Sequence, residues 1–187
     1  MSERRPAAGG IRPCATPMLA ALMKFNSMPE AESVRTLQTV CGSRRWAEAM
    51  SAARPYANPT AILAEADRVW FALSREDWLE AFAHHPRIGE RDLTQAKFAS
   101  TAEQSSREQS GMAGASDKVR AEFAGGNAEY EAKFGHVFLI CATGKSGQEM
   151  LDRLRSRLRN GAAEELLNAA KEQAMITRLR LERMLSP

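Results

Sequence analysis

The sequence predicts an all-α protein, a single-domain bundle of seven to nine helices. Apolar residues recur at helical spacing through most of the chain. Serine, asparagine and proline residues stand where these helices would begin. The one long apolar run, 137–142, has no second strand to pair with, so its backbone hydrogen bonds could not be made in a sheet. A chain of 187 residues is long enough to bury one core.

Composition and charge exclude several functional classes. The net charge of +3 comes from interspersed acidic and basic residues, which argues against a nucleic-acid surface. No apolar run approaches the roughly 20 residues that span a bilayer, and the N-terminus has no secretory signal. Three cysteines without a CxxC spacing argue against a disulfide framework and against zinc. We therefore expect a cytoplasmic protein with no nucleic-acid or membrane partner.

Residues 1–16 carry Pro, Gly and Arg without an apolar period and predict a flexible tail before a helical domain over 17–187. Ser27 is the expected N-cap of the first helix, and Gly42-Ser43 separates it from the second. Asn58-Pro59 opens the third helix, with Asn58 as its cap.

A fourth helix begins at Ser74 in a capping box with Asp77. It should end at His85, because the residue before a proline is disfavoured in the α region. His85 follows Phe82 by three positions, so we expect it to leave the helix on the buried side while His84 points elsewhere.

In the second half of the chain the sequence predicts shorter helices and one non-helical polar stretch. Residues 91–117 are polar, with a helix from about Ser105, and a further short helix stops at Gly125-Gly126. Asn127 would cap the next helix, which Gly135 closes, and the non-sheet run 137–142 follows. The last two helices begin at Ser146 and near Ala162. In the first of them, the arginines at 153, 155, 157 and 159 should face outward.

His85 is the strongest single candidate for chemistry. Adjacent histidines cannot both face one ion from a helix, so His84 and His85 do not predict a metal site. A histidine on an apolar face is usually a hydrogen-bonded core residue. At a helix end forced by Pro86, however, a group that titrates near neutrality could do acid–base work.

Two other patterns each have two interpretations. Ser105 and Glu108 fit S-x-x-E, which favours a capping box and is also compatible with anion binding at a helix N-terminus; 100–103 offers the same spacing. Arg180 shares a helix line with Ile176 and Met184, so it either anchors a carboxylate or snorkels past apolar neighbours. Gly144-Lys145-Ser146 lacks the upstream glycine of a phosphate loop. Cys141 fits a small buried hydrophobe better than a nucleophile.

Taken together, these segments resemble the 2-oxo-4-hydroxy-4-carboxy-5-ureidoimidazoline (OHCU) decarboxylase family, whose members catalyse the last step from uric acid to allantoin. The resemblance covers nearly the whole chain after the tail. It is carried by Phe25-Asn26, Cys41-Gly42-Ser43, Trp46, Arg54-Pro55, 78–82, His85-Pro86-Arg87-Ile88-Gly89, Glu108-Gln109, Asn127, 130–131, Lys133-Phe134-Gly135, 138–142 and 176–181.

The resemblance implies an all-helical, often dimeric enzyme that uses neither a metal nor an organic cofactor. It implies cofactor-independent decarboxylation of OHCU, a small-molecule substrate, to (S)-allantoin, by a homodimer. His85 and Glu108 take the catalytic roles. The substrate-binding residues are Pro86, Ser105, Gln109, Phe138, Ile140, Cys141, Ala142, Thr143, Gly144 and Arg180. His136 stands where the family often has an apolar residue.

Two alternatives remain open at this point. One is a non-catalytic helical module that binds a ureide or a partner protein, although such a module has no need of His85, Glu108 and Arg180 together. The other is a related decarboxylase or hydrolase that acts on a different ureido-imidazole.

Overall fold

A computed structural model describes residues 17–88, 110–112 and 114–186 of the chain. Over these ranges the protein forms eight α-helices and no strand, which confirms the all-α prediction. The helices are α1 (Pro17–Asn26), α2 (Glu30–Val40), α3 (Arg44–Ala52), α4 (Pro59–Phe71), α5 (Arg75–Ala83), α6 (Asp117–Phe134), α7 (Gly147–Arg157) and α8 (Ala162–Leu185). A single 3-10 turn, Ser110–Met112, precedes α6. The predicted tail and the predicted helix from Ser105 lie outside the described ranges.

Most predicted helix starts are confirmed by hydrogen bonds. Asn58 accepts from the backbone N–H of Ala61, and both Ser74 and Ser146 form reciprocal capping boxes. The prediction for Ser27 is wrong, because α1, which sequence analysis missed, ends just before it. Ser27 Oγ donates to the Lys24 carbonyl at 2.9 Å, and Pro29 occupies the cap position of α2 without a side-chain bond.

The predicted break at Gly125-Gly126 is also wrong, because α6 runs without interruption through both glycines. A Cβ atom at Gly126 would come within 2.7 Å of Leu154 Cδ2, so glycine at this position lets α7 approach α6 closely. Asn127 is not a cap. It is only 5% exposed, and its Nδ2 donates to the Ile88 carbonyl at 3.2 Å, tying α6 to the chain that follows His85.

One arginine of α7 faces inward, contrary to prediction. Arg157 is 8% exposed and pairs with Glu165 of α8, which is fully buried; their Nε–Oε1 distance is 2.7 Å. Tyr130 donates its hydroxyl to the same carboxylate, and Asn160 Nδ2 donates to Oε2 at 2.8 Å. Buried ions require this degree of pairing and hydrogen bonding. Helical spacing could not reveal it, because the partner lies on another helix.

Two apolar clusters form the interior. The larger one joins α1–α5 to α8 and includes Trp46, Trp70 and Phe82. The smaller one lies around α6 and α7 and includes Phe123 and Tyr130.

The segment 137–142 lies between the two clusters and is not part of a sheet, as predicted, and it is not helical either. Leu139 and Cys141 belong to the larger cluster, and Phe138, Ile140 and Ala142 belong to the smaller one. This alternation is typical of an extended chain. The helices in the described ranges are too short or too polar to cross a bilayer.

Candidate active site

His85 lies where α5 ends, and its placement follows from the local sequence. Its backbone N–H bonds to the Phe82 carbonyl at 3.1 Å, and Pro86 then directs the chain away from the helix. His85 is 8% exposed and Pro86 is buried, whereas His84 is exposed, as predicted. His84 packs directly on Gly42, where a Cβ atom would lie 2.6 Å from the imidazole Cγ. The absent side chain at Gly42 therefore allows α5 to end against the α2–α3 junction.

A polar stripe on α8 faces this histidine. Gln173, Thr177 and Arg180 are spaced i, i+4 and i+7, so they share one face of the helix. All three are buried, with exposures of 0%, 4% and 3%. Gln173 Nε2 donates to Thr177 Oγ1 at 3.1 Å, and Arg180 Nη1 donates to the Val40 carbonyl at 3.3 Å. Arg180 is therefore the buried arginine of the last helix, as its spacing predicted.

The surroundings keep His85 neutral. Burial is the main cause that lowers its pKa, the positive charge of Arg180 lowers it further, and together they bring it to about 3. The interaction of His85 with the Gln173 side chain opposes this effect and raises the pKa. At pH 7 the neutral imidazole thus has one N–H donor and one acceptor nitrogen. The expectation that it titrates near neutrality is wrong, because burial beside Arg180 disfavours the charged form.

Cys41 completes the polar cluster from the end of α2. Its side chain is fully buried and hydrogen-bonds to Thr177. Burial raises the pKa of the Cys41 thiol to about 11, so the group is a neutral thiol at physiological pH. The Cys41 side chain packs the α2–α3 junction against α8 beside Arg180. Within the described ranges, no three His, Cys, Asp or Glu side chains converge in a way that could hold a metal ion.

The predicted substrate segment 138–144 has distinct buried and exposed parts. The Phe138 ring is enclosed by the rings of Phe123 and Tyr130 and by the guanidinium of Arg157, 4.8 Å from its centroid. The side chains of Ile140, Cys141 and Ala142 are also buried. Thr143 and Gly144 are exposed, and Gly144 turns the chain with a φ of 77° that favours glycine.

Charged side chains, rather than a neighbouring strand, bind the backbone of this segment. Arg157 Nη1 donates to the Leu139 carbonyl at 2.6 Å, and Glu172 Oε2 accepts from the Cys141 N–H at 2.7 Å. Lys145 Nζ donates to the Cys141 carbonyl at 2.6 Å. These three bonds satisfy the Leu139 carbonyl and both backbone polar groups of Cys141 without a sheet.

Packing connects the segment to the His85 region. Ile88, three residues after His85, belongs to the same apolar cluster as Ile140 and Ala142. The turn Ser110–Met112 contributes Met112 to this cluster. A Cβ atom at Gly111 would overlap the Lys145 carbonyl oxygen at 1.9 Å, so this turn packs directly on the end of the segment. Ser105, Glu108 and Gln109 lie outside the described residues.

Sequence reasoning missed several polar residues of this region. Gln173 and Thr177 precede Arg180 by seven and three positions on one helix face, a spacing that could have identified them once Arg180 was chosen. Glu172 and Arg157 bind backbone atoms distant in sequence, and no local pattern indicates that.

The family model for OHCU decarboxylase matches residues 26–182. The uric acid degradation bifunctional protein TTL of Arabidopsis thaliana is 37% identical over 147 residues, which are 78% of this chain and 45% of that protein. The 2-oxo-4-hydroxy-4-carboxy-5-ureidoimidazoline decarboxylase of Xenopus laevis is 33% identical over 97 residues, 52% of this chain and 55% of that protein. The chain thus spans about half the length of the curated relatives it matches.

A solved structure agrees with these sequence relationships. The crystal structure of an OHCU decarboxylase in the presence of (S)-allantoin superposes with a TM-score of 0.70 and 36% identity, covering 80% of this chain and 96% of that one. The family match extends over most of the chain and includes both His85 and Arg180. The chain therefore belongs to the OHCU decarboxylase family.

Proposed function

We propose that this protein decarboxylates OHCU to (S)-allantoin in uric acid degradation, without a cofactor. The observation that carries the proposal is the pairing of a buried, neutral His85 with the buried guanidinium of Arg180 in a chain of this family. A cation withdrawn from water favours an anionic ligand. A neutral imidazole beside it can accept or donate a hydrogen bond without carrying a second positive charge.

The substrate carries a carboxylate and a hydroxyl on one ring carbon. Breaking the bond to the carboxylate releases CO₂ and leaves the electron pair on that carbon, where adjacent ring groups delocalise it as an enolate-like anion. The ring thereby takes the place of an external electron sink. A proton then adds to one face of the neighbouring, ureido-bearing carbon. The carbon that carried the carboxylate becomes a carbonyl as its hydroxyl loses its proton, and the product is (S)-allantoin.

Each residue has a defined role in this proposal. His85 hydrogen-bonds the hydroxyl or the carboxylate and orients it for bond cleavage, with Pro86 fixing its position at the helix end. Arg180 binds a substrate oxygen. Glu108 polarises the ring and accepts or donates a proton. Ser105 and Gln109 contact the substrate beside Glu108. The turn that follows these three in sequence packs on Lys145, which supports their assignment to the same site.

The segment 138–144 supplies the other wall of the proposed site. Phe138 contributes through its backbone, because its ring is used in packing. The N–H of Cys141 already donates to Glu172. The backbone N–H groups of Ile140 and Ala142 are therefore the donors that stabilise the developing negative charge. Thr143 and Gly144 border the substrate at the exposed end of the segment.

A coupled optical assay tests the proposal. OHCU is generated in situ from urate by urate oxidase and 5-hydroxyisourate hydrolase, this protein is added, and circular dichroism follows optically active allantoin. Rapid formation of (S)-allantoin supports the proposal. Racemic product at the spontaneous rate contradicts it, and binding of (S)-allantoin without turnover would favour a ureide-binding module instead.

The proposal extends to assembly and location. A homodimer in the cytoplasm, with no nucleic-acid or membrane partner, fits a family of small-molecule enzymes and the buried cysteines Cys41 and Cys141, which are not joined in a disulfide. Light scattering coupled to size-exclusion chromatography should give twice the chain mass of 20.6 kDa. A mass equal to one chain would contradict the dimer.

A further inference from the structure

The side-chain hydrogen bonds that the structure describes for the backbone of segment 138–142 lie on one edge, and on the other edge the Ala142 carbonyl accepts from the Lys145 N–H at 3.0 Å. In an extended chain, the N–H and C=O groups of a residue point to the same side, and the next residue points to the other side. The Leu139 carbonyl and both polar groups of Cys141 are bonded to charged side chains, and both are odd-numbered positions. The edge formed by the even-numbered residues is therefore directed away from Arg157, Glu172 and Lys145.

The backbone N–H groups on this second edge are unused. Within residues 17–88, 110–112 and 114–186, Ile140 N–H and Ala142 N–H donate no hydrogen bond. Both residues are buried, with exposures of 4% and 4%. Buried backbone N–H groups without a partner are rare. Two such N–H groups at alternate positions on one edge are placed to donate to the same ligand.

Each of these donors belongs to a peptide group whose carbonyl oxygen is bound to a cation. The Ile140 N–H shares its peptide group with the Leu139 carbonyl, which Arg157 binds at 2.6 Å. The Ala142 N–H shares its peptide group with the Cys141 carbonyl, which Lys145 binds at 2.6 Å. A charge-assisted hydrogen bond draws electron density toward the carbonyl oxygen, and the amide N–H at the other end becomes a stronger donor.

We infer that Arg157 and Lys145 are positioning residues that polarise the peptide groups of Ile140 and Ala142, making their N–H groups a pair of strengthened donors for an anionic oxygen of the ligand. Glu172 also contributes, because it accepts from the Cys141 N–H and so holds Cys141 toward the charged side chains. The N–H groups of Ile140 and Ala142 are thereby directed to the opposite edge. The identity of that ligand as the OHCU-derived anion rests on the proposed function. The polarisation itself does not.

Lys145 is the residue to change, because it is half-buried and belongs to no ion pair that the structure describes. Lys145→Met keeps the aliphatic stem and removes the charge, and Lys145→Arg restores it. Lys133 is a matched control, since its Nζ also donates to a carbonyl, that of Leu158, at 2.6 Å. Lys133→Met therefore removes the same kind of bond away from the segment.

Backbone-assigned NMR of the ligand-free protein tests the polarisation directly. We expect the Ala142 amide proton to move upfield in Lys145→Met and to stay near its wild-type position in Lys145→Arg and Lys133→Met. An unchanged Ala142 amide proton in Lys145→Met would overturn the inference, whether or not the wild-type protein is active.

Turnover tests the consequence for the reaction. We expect Lys145→Met to lower kcat about twofold to eightfold, less than the loss of a whole oxyanion donor. KM should change less than about twofold, because the strengthened bond matters most when charge develops. If wild-type protein is active and Lys145→Met keeps full kcat, the inference fails while the proposed function stands. If wild-type protein is inactive, the proposed function fails and the amide shift alone decides the inference.

Discussion

The side chains of Gln173 and His85 interact in the interior of the protein, and neither has significant access to solvent. Gln173 Oε1 forms no hydrogen bond of normal geometry with any residue that the structure describes. The other end of the amide is fixed, because Nε2 donates to Thr177 at 3.1 Å. We therefore expect this oxygen to accept the single N–H of a neutral His85, which leaves the second ring nitrogen as an acceptor toward the substrate.

Gln173→Leu should accordingly lower kcat about tenfold, because the imidazole loses the group that orients it. The thermal midpoint should fall, since the change removes the acceptor for the His85 N–H and the amide that donates to Thr177 Oγ1. Steady-state kinetics and thermal unfolding measure both effects. Gln148→Leu, at an exposed position of α7, is the control. Unaltered kcat in Gln173→Leu would exclude this role for Gln173.

Acid should destabilise the fold through His85. Its pKa is about 3 in the folded protein against 6.5 ordinarily, so the unfolded chain binds a proton that the folded chain does not over this range. The free energy of unfolding is therefore highest above pH 6.5 and decreases as the pH falls toward 3. Between pH 6.5 and pH 5 the loss from this group is on the order of 1–2 kcal/mol, at about 1.4 kcal/mol per pH unit.

Urea unfolding at several pH values checks this dependence. His85→Asn should lose less stability than wild type over the same interval. His136, whose pKa is also lowered by burial, is present in both proteins and contributes equally to each. Parallel pH profiles for wild type and His85→Asn would show that His85 is not the group responsible.

The buried Arg157–Glu165 pair should be among the most sensitive points of the fold. Arg157→Met leaves the fully buried Glu165 carboxylate without its cation, which costs about 3–5 kcal/mol. Arg155→Met, two positions earlier on α7, removes solvent-exposed pairs with Glu122 and Asp152 and should cost less than about 1 kcal/mol. Chemical denaturation distinguishes the two. Equal losses would mean that Glu165 is stabilised mainly by Tyr130 and Asn160.

The two adjacent glycines of α6 should respond in opposite directions to alanine. A Cβ atom at Gly125 meets nothing within 4 Å, so Gly125→Ala should stabilise the protein by about 0.5–1 kcal/mol through helix propensity. At Gly126 the added carbon would come 2.7 Å from Leu154 Cδ2, and the strain should cancel that gain or exceed it. The difference between the two melting temperatures is the measurement. A higher midpoint for Gly126→Ala than for Gly125→Ala would contradict this packing.

Local signals in the sequence predicted most of the helices. The caps at Asn58, Ser74 and Ser146 depend on residues within one turn, and the structure has each of them. The same local rules failed at Gly125-Gly126, where tertiary packing against α7 outweighs the helix propensity of glycine. They also failed at Arg157, because its partners come from α8 and from the segment 138–142.

The candidate site was predictable in part for the same reason. The sequence predicted the burial of His85 and of Arg180, because each lies at helical spacing from apolar neighbours. Both residues are buried. The physical state of His85 was not predictable, since its pKa depends on Arg180 and on desolvation, which the sequence does not specify. The charged side chains that bind the backbone of Leu139 and Cys141 were likewise beyond local patterns.

The central claim is that His85 acts directly in the conversion of OHCU to (S)-allantoin, and one comparison tests it most directly. Circular dichroism follows (S)-allantoin formation from OHCU generated in situ, with wild-type protein and with His85→Ala at equal concentration. We expect rapid formation with wild type and a rate at least ~100-fold lower with His85→Ala. Both proteins should show the same helical signal in the far ultraviolet. A near-normal rate in the variant would remove His85 from the mechanism and contradict this account.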